Sequence, residues 1–180
     1  MAEAVVKKMT YEDYARIPAD GKRHEIIEGE WYMTPAPDVW HQRASRKLER
    51  ILDEHVTRHK LGEVFYAPID VVISQVDVVQ PDIIFVSTAR SAIVGDKNIQ
   101  GAPDLAIEIL SPSTQSIDRG EKRQLYERAG VLEYWMVDAA ARTVEIHEFG
   151  SPRRTRVFQS PQAFDSPLLP GLMVRLAEIF

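Results

Sequence analysis

The chain has 180 residues, 44% of them hydrophobic and 27% charged, a net charge of -5 and no cysteine. This is an ordinary globular composition, enough for one domain (residues 1–180) with a full-sized core, and it excludes disulfides and thiolate-bound metal. No stretch approaches the roughly 20 apolar residues of a membrane span, and the opening MAEAVVKKMTYEDYARIP lacks the apolar core of a signal peptide, so no membrane partner and a cytoplasmic location are expected.

Taken in chain order, Thr10 followed by Asp13 marks a helix start, and a short helix is expected to about Ile17, ahead of Pro18. HEIIEGEWYM reads as two strands around a tight Glu-Gly turn. The proline-rich TPAPD leads into an amphipathic helix from about Val39 to His59, in which Ala44, Leu48, Ile51, Leu52 and Val56 recur at helical spacing. Arg43, Arg46, Lys47 and Arg50 fall mostly on its other faces. The acidic net charge counts against nucleic-acid binding, which needs cations to neutralise phosphates, but this cluster, RGEKR and SPRRTR make the charge uneven. Each cluster taken singly reads as a solvated surface.

Three strand candidates rich in valine and isoleucine follow: EVFYAPIDVVIS, DVVQPDIIFVS and DLAIEILS. The polar TARSAIVGDKNIQGAP joins the last two. Asp118 with Glu121 has the spacing of a capping box, for a helix running to Ala129 and stopped by Gly130. EYWMVD, TVEIHEF and TRVFQS read as a three-stranded meander, and LAEIF as a short helical end. The order predicts an α/β (α+β) fold with a central mixed sheet flanked by helices. The regular strand–helix alternation of a doubly wound sheet and a glycine-rich phosphate loop are both missing.

Two of these strands carry a charge that a core strand has no use for. Asp82 opens the apolar run of QPDIIFV, and Glu108 lies late in GAPDLAIEILSPST. A buried, unpaired carboxylate costs on the order of several kcal/mol, because the ion loses its hydration. Strand periodicity puts Ala106, Glu108 and Leu110 on one face and Leu105, Ile107 and Ile109 on the other. If the two strands are neighbours, both carboxylates can address one site, of the kind a hard divalent ion uses. The alternatives are a turn residue for Asp82 and a salt bridge to Lys122 or an arginine for Glu108. Asp104, in a second Pro-Asp, lies two pleats from Glu108, roughly 13 Å at strand rise, too far to share one metal. It reads as a loop or strand-start residue. In the early hairpin, Glu25 and Ile27 share one face, Ile26 and Glu28 the other, and the hydrophobic alternation does not choose between the two glutamates. Tyr126, Tyr134 and Trp135 read as core packing.

HEIIEGE, PAPDVWHQ, QPDIIFV, GAPDLAIEILSPST, DRGEKRQLYERAGVLEYWMVD and LLPGL together resemble the PD-(D/E)XK nuclease superfamily, and within it the Uma-two family. The blocks run in order from about Thr10 to the C-terminus. The resemblance implies a restriction-endonuclease-like core and a DNA endonuclease dependent on Mg²⁺ (or Mn²⁺), with Asp82, Glu108 and the backbone carbonyl of Ile109 as metal ligands. Leu110 stands where the superfamily has its motif lysine, and Lys122 on the following helix is the candidate replacement. An acidic residue from the N-terminal region joins the site in many nucleases of this fold, and Glu25 is chosen for it. His41, within a matching block, is held as a phosphate contact. Restriction-type folds commonly pair, so a homodimer is expected. The rival reading is a nuclease-fold module that binds nucleic acid or a protein without turnover; a third is a phosphoesterase acting on small molecules.

Overall fold

The computed structural model describes residues 8–18 and 20–180; part of the segment read as lacking a leader's apolar core lies outside them. The first helix, α1 (Tyr11–Tyr14), carries both bonds of the expected capping box between Thr10 and Asp13. The hairpin follows as β1 (Arg23–Ile27) and β2 (Glu30–Thr34), then the long helix α2 (Val39–His59), with the bounds its apolar spacing predicted.

The next two strand candidates each divide at a proline. The first becomes β3 (Gly62–Tyr66) and β4 (Val71–Ser74), with Pro68 between them. The second becomes β5 (Asp77–Val79) and β6 (Ile83–Ser87), with Pro81 between them. Proline has no N–H for a strand ladder, so each run bends there and its halves join different sheets. The polar linker holds a 3₁₀ turn, Thr88–Ile93, before β7 (Leu105–Ile109).

The helix expected from Asp118 begins earlier. A short turn, α3 (Gln115–Ile117), runs into a π-helical segment, Asp118–Lys122, and on into α4 (Arg123–Ala129). Asp118 is therefore an interior, buried residue and not a cap. Gly130 ends α4 in the left-handed conformation, φ 85°, as its position predicted. The meander is present as β8 (Glu133–Asp138), β9 (Thr143–Glu148) and β10 (Arg154–Gln159). A hairpin that the sequence reading did not foresee, β11 (Ala163–Ser166) and β12 (Leu169–Arg175), precedes α5 (Leu176–Ile179).

The main sheet has the order β10-β9-β8-β7-β6-β3, parallel only between β7 and β8. A smaller antiparallel sheet, β2-β1-β5-β4, covers part of it. On one face of the main sheet, Leu105, Ile107 and Ile109 pack with Ala44, Leu48, Leu52 and Val56 of α2 and with β11, β12 and α5. Each fully buried leucine or valine of α2 contributes about 1.5–3 kcal/mol. On the other face, Ala106 and Leu110 pack with α4 and with Ile27, Val71 and Val79 of the small sheet. The alternation read from DLAIEIL is the one observed, and it turns Glu108 toward the small sheet and α4.

Candidate active site

Strand register explains how the two charged strands meet. β6 and β7 are antiparallel with Ile83 opposite Ile107, so one further step sets Asp82 opposite Glu108. Directly opposed residues have Cβ atoms about 4.5–5.5 Å apart, and like charges in that relation are destabilising. The fold tolerates the pair because each carboxylate has its own donors. Asp82 accepts from Arg23 Nη1 at 2.7 Å, from the backbone N–H of Ile109 at 2.9 Å, and lies 3.0 Å from His41 Nε2. Glu108 accepts from Lys122 Nζ at 3.0 Å and from the Tyr126 hydroxyl at 2.8 Å.

Lys122 brings the second group together. Its ammonium is 2.9 Å from Glu25, 3.0 Å from Glu108 and 3.5 Å from Asp118. Glu25 is fixed in turn by the backbone N–H of Gln80 at 2.7 Å, so β1 and the β5–β6 connection hold it jointly. The other hairpin glutamate, Glu28, sits at the turn with φ 53° and pairs with Arg128 instead. Helix pitch accounts for Asp118, Lys122 and Tyr126: residues four apart lie on one face. The π-helical segment falls within that stretch, and such irregularities recur at functional sites. His41 continues the buried stripe of α2, and its backbone N–H is capped by Asp38 of the proline-rich loop at 2.8 Å.

These groups line a pocket of about 200 Å³ walled by the Thr34–Asp38 loop on one side and Ser111–Thr114 on the other. Glu25, Asp82, Glu108 and Asp118 are all at most 4% exposed. If all four were ionised they would exceed the two permanent cations, Arg23 and Lys122, by two charges. The protonation equilibria respond accordingly. Burial pushes Glu108 well above the usual carboxylate range despite Lys122, and Asp118 is raised for the same reason. Burial alone would lower Lys122, but Glu108, Glu25 and Asp118 lift it well above its ordinary value, so it stays charged. Burial would raise Asp82 too, yet His41, Arg23 and the Ile109 N–H hold it below its ordinary value. The crowding of carboxylates around one lysine thus favours the protonated forms of Lys122, Glu108 and Asp118.

A hard divalent cation suits this donor set. It would offset the excess of carboxylates over cations, and carboxylate oxygens are its preferred ligands. His41 Nδ1 and Gln80 Oε1, both from residues lining the pocket, are buried without a hydrogen-bond partner, and Asp118 Oδ1 has its ion pair with Lys122 but no hydrogen bond. Among the described residues no three His, Asp or Glu side chains are grouped as a complete ligand set. Mg²⁺ does not require one, since it keeps several waters and takes one or two carboxylates.

The pocket thus gathers Glu25, Asp82, Glu108, Lys122, His41 and the Ile109 backbone, residues first singled out from widely separated parts of the chain. Asp104 is elsewhere: it accepts from the backbone N–H of Ser87 at 2.7 Å and lies 3.5 Å from Arg90, the strand-start role expected of it. Three contributors were missed. Tyr126 was read as packing, but its hydroxyl is committed to Glu108. Asp118 was read as a cap, although its spacing of four from Lys122 was the available signal. Arg23 lies two residues before Glu25, and strand alternation alone would have put both on one face.

The comparisons agree with this architecture. The family model Uma2, described as "Putative restriction endonuclease", matches residues 11–177. The fold is similar to a crystal structure from Anabaena variabilis ATCC 29413 described as a "putative nuclease belonging to DUF820". That similarity has a TM-score of 0.82 and 21% sequence identity, over 96% of this chain and 97% of the other. No curated protein matches the chain. With the match spanning nearly the whole sequence, the chain belongs to the Uma2 family of restriction-endonuclease-like proteins.

Proposed function

We propose that this protein is a Mg²⁺-dependent DNA endonuclease (Mn²⁺ substituting) that hydrolyses phosphodiester bonds at the pocket between β6, β7 and α4. The observation that carries the proposal is the position of the Lys122 ammonium, 3.0 Å from Glu108 and 2.9 Å from Glu25, in the pocket that Asp82 also lines. A lysine borne on a helix can thereby serve the carboxylate pair although Leu110 occupies the usual strand position.

Asp82, Glu108 and the carbonyl of Ile109 would hold the ion. When bound, it supplies an acidified water and offsets the negative charge that develops on phosphorus oxygens. Lys122 would then release part of its contact with Glu108 and orient the attacking water in line with the scissile bond. Glu25 fixes the lysine for that task. Tyr126 and the cation Arg23 hold the two ligand carboxylates in place, while His41 approaches Asp82 through Nε2 at 3.0 Å and keeps that carboxylate turned toward the pocket. Two copies pairing, each cutting one strand, is the assembly that restriction-type folds suggest.

A supercoiled plasmid incubated with and without Mg²⁺ tests the reading. Wild type should convert it to open circles only with the metal, and Asp82→Asn should lower the rate at least about 100-fold, a loss typical of removing an electrostatic stabiliser. Absence of nicking by wild type, or equal nicking by Asp82→Asn, would reject it in favour of a binding module without turnover.

A further inference from the structure

The catalytic pocket opens beside a second, larger one of about 530 Å³, with which it shares Asp38, His41 and Pro112. That volume lies in the range of sites for nucleotide-sized ligands. Its apolar floor includes Leu110, Ile179 and Phe180, and its rim carries Arg43 and Lys47 of α2 and Arg142 of the β8–β9 turn. Asp38 is the one acid in its lining, and that carboxylate is occupied in capping α2. Among the described residues none of the three rim cations forms an ion pair with a carboxylate. Trp40 stands at the same rim with 65% of its surface exposed, and the Arg43 guanidinium carbon lies 5.0 Å from its ring centroid.

An exposed tryptophan at the edge of an apolar pocket needs a reason, because burying it would stabilise the fold. A helix spacing of 40, 43 and 47 puts the ring and two cations on one side of α2, immediately beside His41. Flat aromatic surface and unpaired cations are the two components of a single-strand nucleic-acid site: bases stack on the ring, and cations track the phosphates. A paired base offers no free face to such a ring.

Building on the nuclease reading above, we infer that this groove is a subsite for an unpaired nucleotide of the DNA strand flanking the scissile phosphate, its base stacked on Trp40 and its phosphates met by Arg43, Lys47 and Arg142. The substrate class is therefore DNA with single-stranded character next to the cut, such as a flap, gap or melted junction. The basic cluster HQRASRKLER, which looked like plain solvated surface in the sequence, has one side given to this task.

Anisotropy of a labelled mixed-sequence single-stranded oligonucleotide, and of its blunt duplex, tests the inference in EDTA so that cleavage does not intervene. Wild type should favour the single strand. Trp40→Ala should weaken single-strand binding by about 5- to 150-fold, the range for one stacked base, with a smaller effect on the duplex. Trp40→Phe should recover most of the loss. Arg43→Gln and Lys47→Gln should each flatten the slope of log affinity against log salt by about 0.7. Unchanged single-strand binding by Trp40→Ala, or an equal loss for both forms, would overturn the inference. If wild type still nicks plasmid in that case, the nuclease reading survives and only the groove fails. If wild type neither nicks nor binds either form, both fail, and a protein partner becomes the better occupant.

Discussion

Lys122 and Glu108 form a buried pair whose two members should respond differently to mutation. Lys122→Met leaves Glu25, Glu108 and Asp118 without their shared cation, so the metal-free protein should lose about 3–5 kcal/mol, the cost of orphaning a buried charge. That penalty should shrink as pH falls and the carboxylates protonate. Glu108→Gln keeps an oxygen for Tyr126 and Lys122 while removing one charge from an over-negative cluster. It should change stability by less than about 1 kcal/mol, or raise it, while abolishing Mg²⁺-dependent nicking. Chemical denaturation of both variants across pH checks this; equal losses would mean that charge excess is not the site's governing feature. At this scale Asp82 and Glu108 were legible in the sequence because a charge inside an apolar strand, or at its very start, is conspicuous. Tyr126, Arg23 and Asp118 were not, because a tyrosine in a helix, an arginine at a strand start and an aspartate near a helix start each have an ordinary explanation.

Among the elements, the antiparallel β6–β7 pair does most to build the site, and its flank is set by how closely β3 approaches β6. Gly62 has φ 153°, and a Cβ there would fall 2.0 Å from the carbonyl oxygen of Val86. Gly62→Ala should therefore push β3 off the sheet edge and cost more than about 1 kcal/mol. Gly120, inside the π-helical segment, has open space around it, so Gly120→Ala should be tolerated and should stabilise by about 0.4–1 kcal/mol. Thermal melts of the two variants moving in opposite directions would bear this out, and a melt lowered by Gly120→Ala would mean that the segment needs glycine's freedom. Apolar periodicity placed α2 well because its stripe, Ala44 to Val56, runs unbroken for more than three turns. The proline-split strands were unreadable as pairs of elements, since composition stays β-like on both sides of Pro68 and Pro81 while the partner sheet changes. β11 and β12 were missed because their alternation is interrupted by Pro167, Pro170 and Gly171.

For the molecule as a whole, the carboxylate cluster couples folding to pH and, under the proposed function, to metal. Glu108 and Asp118 have folded-state pKa values above their unfolded ones, so their contribution to stability is complete below the unfolded carboxylate range and is lost as pH rises through the folded values. Asp82 has the opposite sign: its contribution is present above its unfolded pKa and is lost as pH falls through the lowered folded value. A cation that competes with protons for Glu108 and Asp118 should reverse the first effect, so the stabilisation given by Mg²⁺ should grow as pH rises. Calorimetric titration of Mn²⁺ into wild type and Glu108→Gln, repeated in buffers of different ionisation enthalpy, tests this most directly. Saturable binding by wild type, with proton release and its loss in Glu108→Gln, is the predicted result. Absence of binding heat, or identical binding by Glu108→Gln, would contradict the account.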